Sequence, residues 1–246
     1  MSETFFGMFH FLSVDMFKKL KYFSKSDVII WSSSVVCIVI SFLLFDSGNY
    51  ITLVASLIGV TSLIFCAKGN PFGNALMIVF SILYAIISYS CSYYGEMITY
   101  LGMTAPMSLF SLITWLRNPF KGNKAQVKVN SISRKEVVFM LFLSIVVTVV
   151  FYFILERFGT ANIIPSTFSV TTSFVAAYLT LRRTPYFPLV YALNDLVLIV
   201  LWLLVSQNNT SYIPVIVCFV VFAVNDVYGF INWYRMKKKQ TDVNEL

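Results

Sequence analysis

Charge is what this chain has least of: Asp, Glu, Lys and Arg make up 12% of its 246 residues, against about a quarter in soluble domains. There is one histidine, His10, and the four cysteines (Cys37, Cys66, Cys91 and Cys218) stand singly inside apolar runs. Neither a disulfide framework nor a metal-ligand set can be assembled from them, so no metal or other cofactor is expected. No GxxxxGK[ST] phosphate loop occurs, which excludes an ATP-driven pump that carries its own motor. The pattern of a secretory leader is missing too: Lys18, Lys19, Lys21 and Lys25 follow the Phe-rich start instead of preceding it. Phe5, Phe9, Leu12, Met16 and Leu20 recur at helical spacing there, which suits a helix lying in the membrane interface.

What is present is apolar. Hydrophobic residues make up 58% of the chain, and the mean hydropathy is +0.79. Eight stretches are long enough to cross a bilayer as helices: 28–45, 51–67, 72–94, 97–116, 137–155, 163–181, 186–205 and 212–234. Turn chemistry separates them, as in Asp46-Ser-Gly-Asn49, Gly69-Asn-Pro71, Thr184-Pro185 and Gln207-Asn-Asn-Thr210. Alternating the sides puts every basic residue except Arg157 on one face, including Lys68, Arg117, Arg182, Arg183 and Arg235. Cytoplasmic loops carry such an excess, so both termini are expected inside the cell. The net charge of +7 thus reports topology, and no nucleic-acid partner is expected.

The chain also repeats itself. Ile113-Thr-Trp-Leu-Arg117 closes the fourth span and Ile231-Asn-Trp-Tyr-Arg235 the eighth. Val60-Thr-Ser62 pairs with Val170-Thr-Thr172, and Asn70-Pro-Phe72 with Thr184-Pro-Tyr186, in the same order. The expected fold is an all-α integral membrane protein of eight transmembrane helices. Two parallel three-helix repeats (51–118 and 163–236) are joined by a connecting helix (137–156) in a 3+1+3 core. Outside it lie an N-terminal segment (1–26), an extra helix (27–46), a cytoplasmic loop (119–136) and a tail (237–246).

Only two acids are expected deep inside spans, and each follows an asparagine: Asn194-Asp195 and Asn225-Asp226. A charged group at the bilayer centre costs ~3 kcal/mol on insertion scales and is normally kept for a cavity or a partner. Tyr191 and Trp202 share a broad face with the first pair, and Trp233 with the second. Carboxylates, amides and aromatic rings together suit a flat polar heterocycle bearing a sugar. Ser81, Tyr84 and Ser88 on the third span supply hydroxyls or a wall, and Trp115 and Trp233 mark a gate or membrane boundary. The same Asn and Asp side chains can instead fix helix packing, or an acid can carry a coupling proton.

At 191–202 (YALNDLVLIVLW) and 225–236 (NDVYGFINWYRM), with a weaker match at 115–119 (WLRNP), the chain resembles the PnuC family of bacterial nicotinamide riboside transporters. That resemblance implies a SWEET-like 3+1+3 arrangement in the bacterial cell membrane and a homotrimer. It also implies facilitated uptake of the nucleoside, followed by trapping through phosphorylation inside. The family's substrate asparagines would fall on Asn194 and Asn225, and its aromatic contacts near Tyr191, Trp202 and Trp233. The first repeat has Phe80-Ser81 and Met107-Ser108 where the second has its Asn-Asp pairs. Sister groups carry thiamine, riboflavin or other nucleosides, including deoxynucleosides. A membrane prenyltransferase would need further acids a turn from each Asn-Asp pair to clamp magnesium diphosphate, and Leu-Val-Leu and Val-Tyr-Gly follow instead. An enzyme is therefore not expected.

Overall fold

The computed structural model describes residues 22–160, 162–207 and 209–243; the interfacial helix expected in the N-terminal segment lies outside them. Among the described residues, eight helices are long and apolar enough to cross a membrane. They are α1 (Lys25–Phe45), α2 (Tyr50–Ala67), α3 (Phe72–Ser90), α4 (Tyr94–Arg117), α5 (Arg134–Arg157), α6 (Ile163–Leu181), α7 (Phe187–Ser206) and α8 (Ile213–Asp242). Between α4 and α5, β1 (Pro119–Phe120) and β2 (Asn123–Val127) form an antiparallel hairpin. The bundle end that carries it is the hairpin end below.

Two boundaries differ from the sequence reading. The break between the third and fourth spans falls at Cys91–Tyr93, where Ser92 takes a left-handed φ of 59°, and not at 94–97. The last helix runs past the expected boundary at 234 to Asp242, because no helix breaker interrupts its basic tail.

Local chemistry sets the ends. Ser24 and Asp27 form a reciprocal capping box on α1, and Asn49 and Ser133 cap α2 and α5. Pro188 and Pro214 sit in the first turns of α7 and α8, where a missing N–H costs nothing. Inside α4, Pro106 cannot donate to the Gly102 carbonyl, and the chain widens into a π-helical turn over Tyr100–Thr104 just before it. The C-termini of α2 and α6 match in detail. Gly69 (φ 67°) and Arg183 (φ 58°) are both left-handed. Asn70 N donates to Phe65 O at 3.0 Å, and Thr184 N to Leu179 O at 3.1 Å. Both are Schellman caps with a proline one residue beyond.

Within the bundle α3 packs on α2 and α4, and α7 on α6 and α8. Two further contacts cross between these groups: α8 lies against α2, and α4 against α6. α1 flanks α2 and α8, while α5 flanks α6. Only 11% of the most apolar window of α5 is buried, so most of its surface is left uncovered by the rest of the bundle. Small residues let backbones approach. A Cβ on Gly73 would meet the Cys66 nitrogen at 2.7 Å and the Ser62 carbonyl at 2.8 Å on α2, whereas Gly102 has no neighbour within 4 Å. Gly73→Ala should therefore force α2 and α3 apart and cost about 1–3 kcal/mol. Thermal unfolding of purified protein should show a lower Tm for Gly73→Ala and no loss for Gly102→Ala.

Candidate functional site

Midway along the bundle, side chains from α2, α3, α4, α6, α7 and α8 meet around a cavity of about 20 Å3, room for about one water molecule. Tyr191, Asn194 and Asp195 of α7 line it, with Asp226 and Phe222 of α8, Tyr100 and Thr104 of α4, Phe80 of α3 and Ser173 of α6. The Asn194 oxygen accepts from Thr172 Oγ1 at 2.7 Å and Ser173 Oγ at 3.1 Å. With that oxygen occupied, the amide N–H groups are what Asn194 can offer a ligand. Asp195 of α7 and Asp226 of α8, 4% and 5% exposed, both line the cavity. The ion pairs among the described residues are Lys68–Asp27 and Arg182–Glu136, and neither lines the cavity.

Each end of the bundle is closed by aromatic side chains. Away from the hairpin, Trp202 Nε1 donates to Tyr84 Oη at 2.7 Å, and Tyr93 Oη donates to the Leu201 carbonyl at 2.9 Å. Tyr84, Tyr93 and Tyr212 surround the Trp202 ring. At the hairpin end, Trp115 Nε1 donates to Thr180 O at 2.9 Å and Trp233 Nε1 to Cys66 O at 2.7 Å. The two indoles touch each other and Phe187. These bonds are reciprocal: each tryptophan reaches a carbonyl one residue before the last of a helix in the other group, ahead of the matched Schellman caps.

The chain following the hairpin straps this end. Val127 N donates to Gly69 O at 2.9 Å and Asn130 N to Arg183 O at 3.0 Å, one bond to each of the two left-handed cap residues. Gln240 on α8 closes the strap: its Nε2 donates to Val127 O at 3.0 Å, and its Oε1 accepts from Val129 N at 2.8 Å. Tyr22, before α1, accepts from Asn70 Nδ2 and donates to Ala125 O. Burial, opposed by the Asn70 bond, pushes its hydroxyl up to about 12, so it stays a neutral donor at physiological pH.

Of the residues singled out from the sequence, Tyr191, Asn194, Asp195 and Asp226 come together at the cavity. Trp202 and Tyr84 form the far seal, Trp115 and Trp233 the hairpin-end seal. Ser88 is buried beside Tyr84. Ser81 returns its hydroxyl to Met77 O of its own helix. Asn225 faces α1, donating to Ser34 Oγ at 2.9 Å and Val221 O at 2.8 Å. Two acids escaped the sequence reading. Glu96 is fully buried in the first turn of α4 beside Ser169, so the expectation of only two acids inside spans is corrected to include it. The displaced boundary at 91–93 hid it. Asp27 accepts from Lys68 Nζ at 2.8 Å and Tyr228 Oη at 2.6 Å, tying α1 to α2 and α8; the Ser24-x-x-Asp27 capping pattern was the available signal.

A membrane-spanning bundle that closes a polar pocket between two seals has the build of a solute transporter. The family described as nicotinamide mononucleotide transporter matches residues 49–235, and this chain belongs to that family, which includes PnuC. The match begins at the N-cap of α2 and so leaves α1 outside. The nicotinamide riboside transporter PnuC of Neisseria mucosa is 25% identical over 201 residues, covering 80% of this chain and 76% of that protein. The crystal structure of the vitamin B3 transporter PnuC shares the fold, with a TM-score of 0.78 and 23% identity over 89% of this chain and 94% of that one. The chain is a multi-pass membrane protein of the PnuC transporter type, acting on a small molecule.

Loss of the Gln240 amide should loosen the strap without touching the cavity. In Gln240→Leu, hydrogen exchange at the Val129 amide should accelerate about five- to tenfold, the loss of ~1 kcal/mol of protection. Deuterium uptake of a peptide spanning 125–131 measures this, and unchanged uptake would show that Gln240 does not hold the strap.

Proposed function

We propose that this chain mediates facilitated uptake of nicotinamide riboside across a bacterial cell membrane. In this reading the hairpin end and both termini are cytoplasmic, and intracellular phosphorylation traps the nucleoside. The reading is supported above all by the cavity where Asn194, Asp195, Asp226, Tyr191 and Tyr100 converge between two seals. Asn194 donates to the ribose or the carboxamide, the acids accept from hydroxyls, and the tyrosines flank the base. Asn225, turned to α1, is assigned to packing.

The moving parts in this reading are two parallel three-helix units, α2–α4 and α6–α8, joined by α5, with α1 outside. The matched caps and the reciprocal indole bonds support that division. At about 20 Å3 the cavity is far smaller than the several hundred Å3 of typical small-molecule pockets, so the units must part to admit substrate. The four bonds of the two seals, Trp202–Tyr84, Tyr93–Leu201, Trp115–Thr180 and Trp233–Cys66, all cross between the units. At ~0.6–1 kcal/mol each, breaking one seal while keeping the other is thermally accessible, which is the requirement for alternating access. The homotrimer implied by the family resemblance belongs to the same proposal.

The test is uptake by purified protein in liposomes, comparing radiolabelled nicotinamide riboside, thiamine and deoxyadenosine. Nicotinamide riboside should equilibrate, and accumulate above the external level only with an entrapped nucleoside kinase and ATP. Asn194→Leu should weaken uptake about tenfold, the loss of one or two ligand hydrogen bonds. Asn225→Leu, in folded protein, should stay within about threefold. Transport of thiamine alone would remove the nicotinamide assignment; full uptake by Asn194→Leu would remove the site.

A further inference from the structure

A larger cavity lies outside the site between the seals. At the hairpin end an open cleft of about 450 Å3 separates the start of α1, the end of α2, β2 and the basic end of α8. That is the size of a small-molecule pocket, and no step of the transport reading uses it. Asn232, Arg235 and Lys239 line it from α8, at spacings of three and four residues that keep side chains on one helix face. Arg235 is the last residue of the second Ile-x-Trp-x-Arg motif, so the Trp233 seal and this cleft share one helix end. Lys68 enters from α2 and Asp27 from the first turn of α1.

The charge in this cleft is unbalanced. Lys68, Arg235 and Lys239 line it against one acid, Asp27. That acid is already engaged: its Oδ2 accepts from Ser24 N at 2.7 Å and Lys68 Nζ at 2.8 Å, and its Oδ1 from Tyr228 Oη at 2.6 Å. The other ion pair among the described residues is Arg182–Glu136, so Arg235 and Lys239 reach the cleft with no carboxylate against them. Two positive charges are left over, one turn apart on α8. A phosphomonoester carries about −1.5 to −2 at neutral pH and matches that excess, whereas the phosphodiester of a lipid headgroup carries a single charge. A guanidinium fork beside an ammonium is also the donor set that grips phosphate oxygens. The cleft is much larger than a phosphate. Its remaining walls include the amides of Asn123 and Gln126, which suit sugar hydroxyls, and the ring of Tyr22, which suits a flat base.

We propose that this cleft binds a phosphomonoester of mononucleotide size, and that its occupation holds the hairpin end shut. The phosphate meets Arg235 and Lys239 of α8 and, across the cleft, Lys68 of α2. It therefore reinforces the Asp27 clip, which already ties α2 to α8 through α1. Tyr22, whose hydroxyl donates to Ala125 O at 3.3 Å, brings β2 into the same enclosure. Opening this end means parting groups that the ligand joins, and a ligand that favours the closed state shifts the population toward it. The proposal rests on the reading above in one respect: the hairpin end faces the cytoplasm, where the trapped nucleoside carries its phosphate. The phosphorylated product then slows the entry of more substrate.

Titration calorimetry of the purified full-length protein with nicotinamide mononucleotide reads the cleft without transport. Binding should weaken about tenfold in Arg235→Gln and in Lys239→Gln, each the loss of one charge-assisted contact. In Asn194→Leu, altered at the mid-bundle cavity, it should stay within about twofold. In proteoliposomes, mononucleotide on the hairpin-end side should slow nicotinamide riboside uptake about fivefold. Both Gln variants should escape that inhibition, with uptake unchanged when no mononucleotide is added. Mononucleotide affinity untouched in both Gln variants, or lost in Asn194→Leu, overturns the site. Binding that leaves uptake unslowed overturns the closure. Nanodiscs separate the two sources of phosphate: the mononucleotide should bind alike in phosphatidylcholine and phosphatidylglycerol discs. Its displacement by phosphatidylglycerol would make a lipid headgroup the occupant and remove the nucleotide assignment. Uptake of thiamine in place of nicotinamide riboside would sink the substrate reading, while mononucleotide binding lost in the Gln variants would still uphold this site.

Discussion

A polar group inside a bilayer has no water to turn to, so each must find a partner in the protein or a reason to go without one. That constraint organises this molecule. Hydroxyls in the spans mostly return to their own helix, as Ser56, Ser81, Thr167 and Thr180 do. The bonds that cross between helices are few and bind distant parts of the chain. Trp115, Trp202 and Trp233 each spend their single N–H on such a bond. The remaining unsatisfied donors and acceptors include Asp195 at the cavity and Glu96 near it, where a solute or a proton can complete them.

Small residues and aromatics divide the packing between them. Gly59 and Gly73 sit where no larger residue fits, Gly59 because a Cβ would strike the Phe222 ring at 2.2 Å. Phe80, Tyr84, Tyr100, Phe219 and Phe222 fill the space thus opened with edge-to-face and tilted contacts. In a bilayer such close packing carries association that the hydrophobic effect carries in water. It also explains how a cavity lined by large rings can stay small: side chains from both groups of helices occupy it until something better arrives.

The eight spans were legible because lipid demands long apolar helices and the basic residues segregate so completely. Trp115 and Trp233 were legible as a pair through Ile-x-Trp-x-Arg, although their partners, the Thr180 and Cys66 carbonyls, carry no side-chain signature. Asn225 and Asp226 show where the pattern runs out. Adjacent residues point ~100° apart on a helix, and the rotation of α8 gives Asp226 to the cavity and Asn225 to α1. Nothing in the periodicity of α8 announces that α1 packs against it. Asn194 and Asp195 escape that ambiguity because the cavity lies between their two directions. Glu96 was lost to a three-residue error in one turn, which moved a buried acid into a loop on paper.

Asp27 gives the architecture a mechanical bias. It receives Lys68 at the end of α2 and Tyr228 from α8, so α1 clips together one helix from each group, and at the same end the strap reaches the caps of α2 and α6. While the hairpin-end bonds hold, two rods so fastened behave as levers with the fulcrum there, and opening the hairpin end means breaking those bonds first. With ~1.5 Å of rise per residue, a helix of 19 residues such as α3 is close to 28 Å long. A tilt of ~5° about the fastened end then carries its far tip through about 2.5 Å, while the fulcrum hardly stirs.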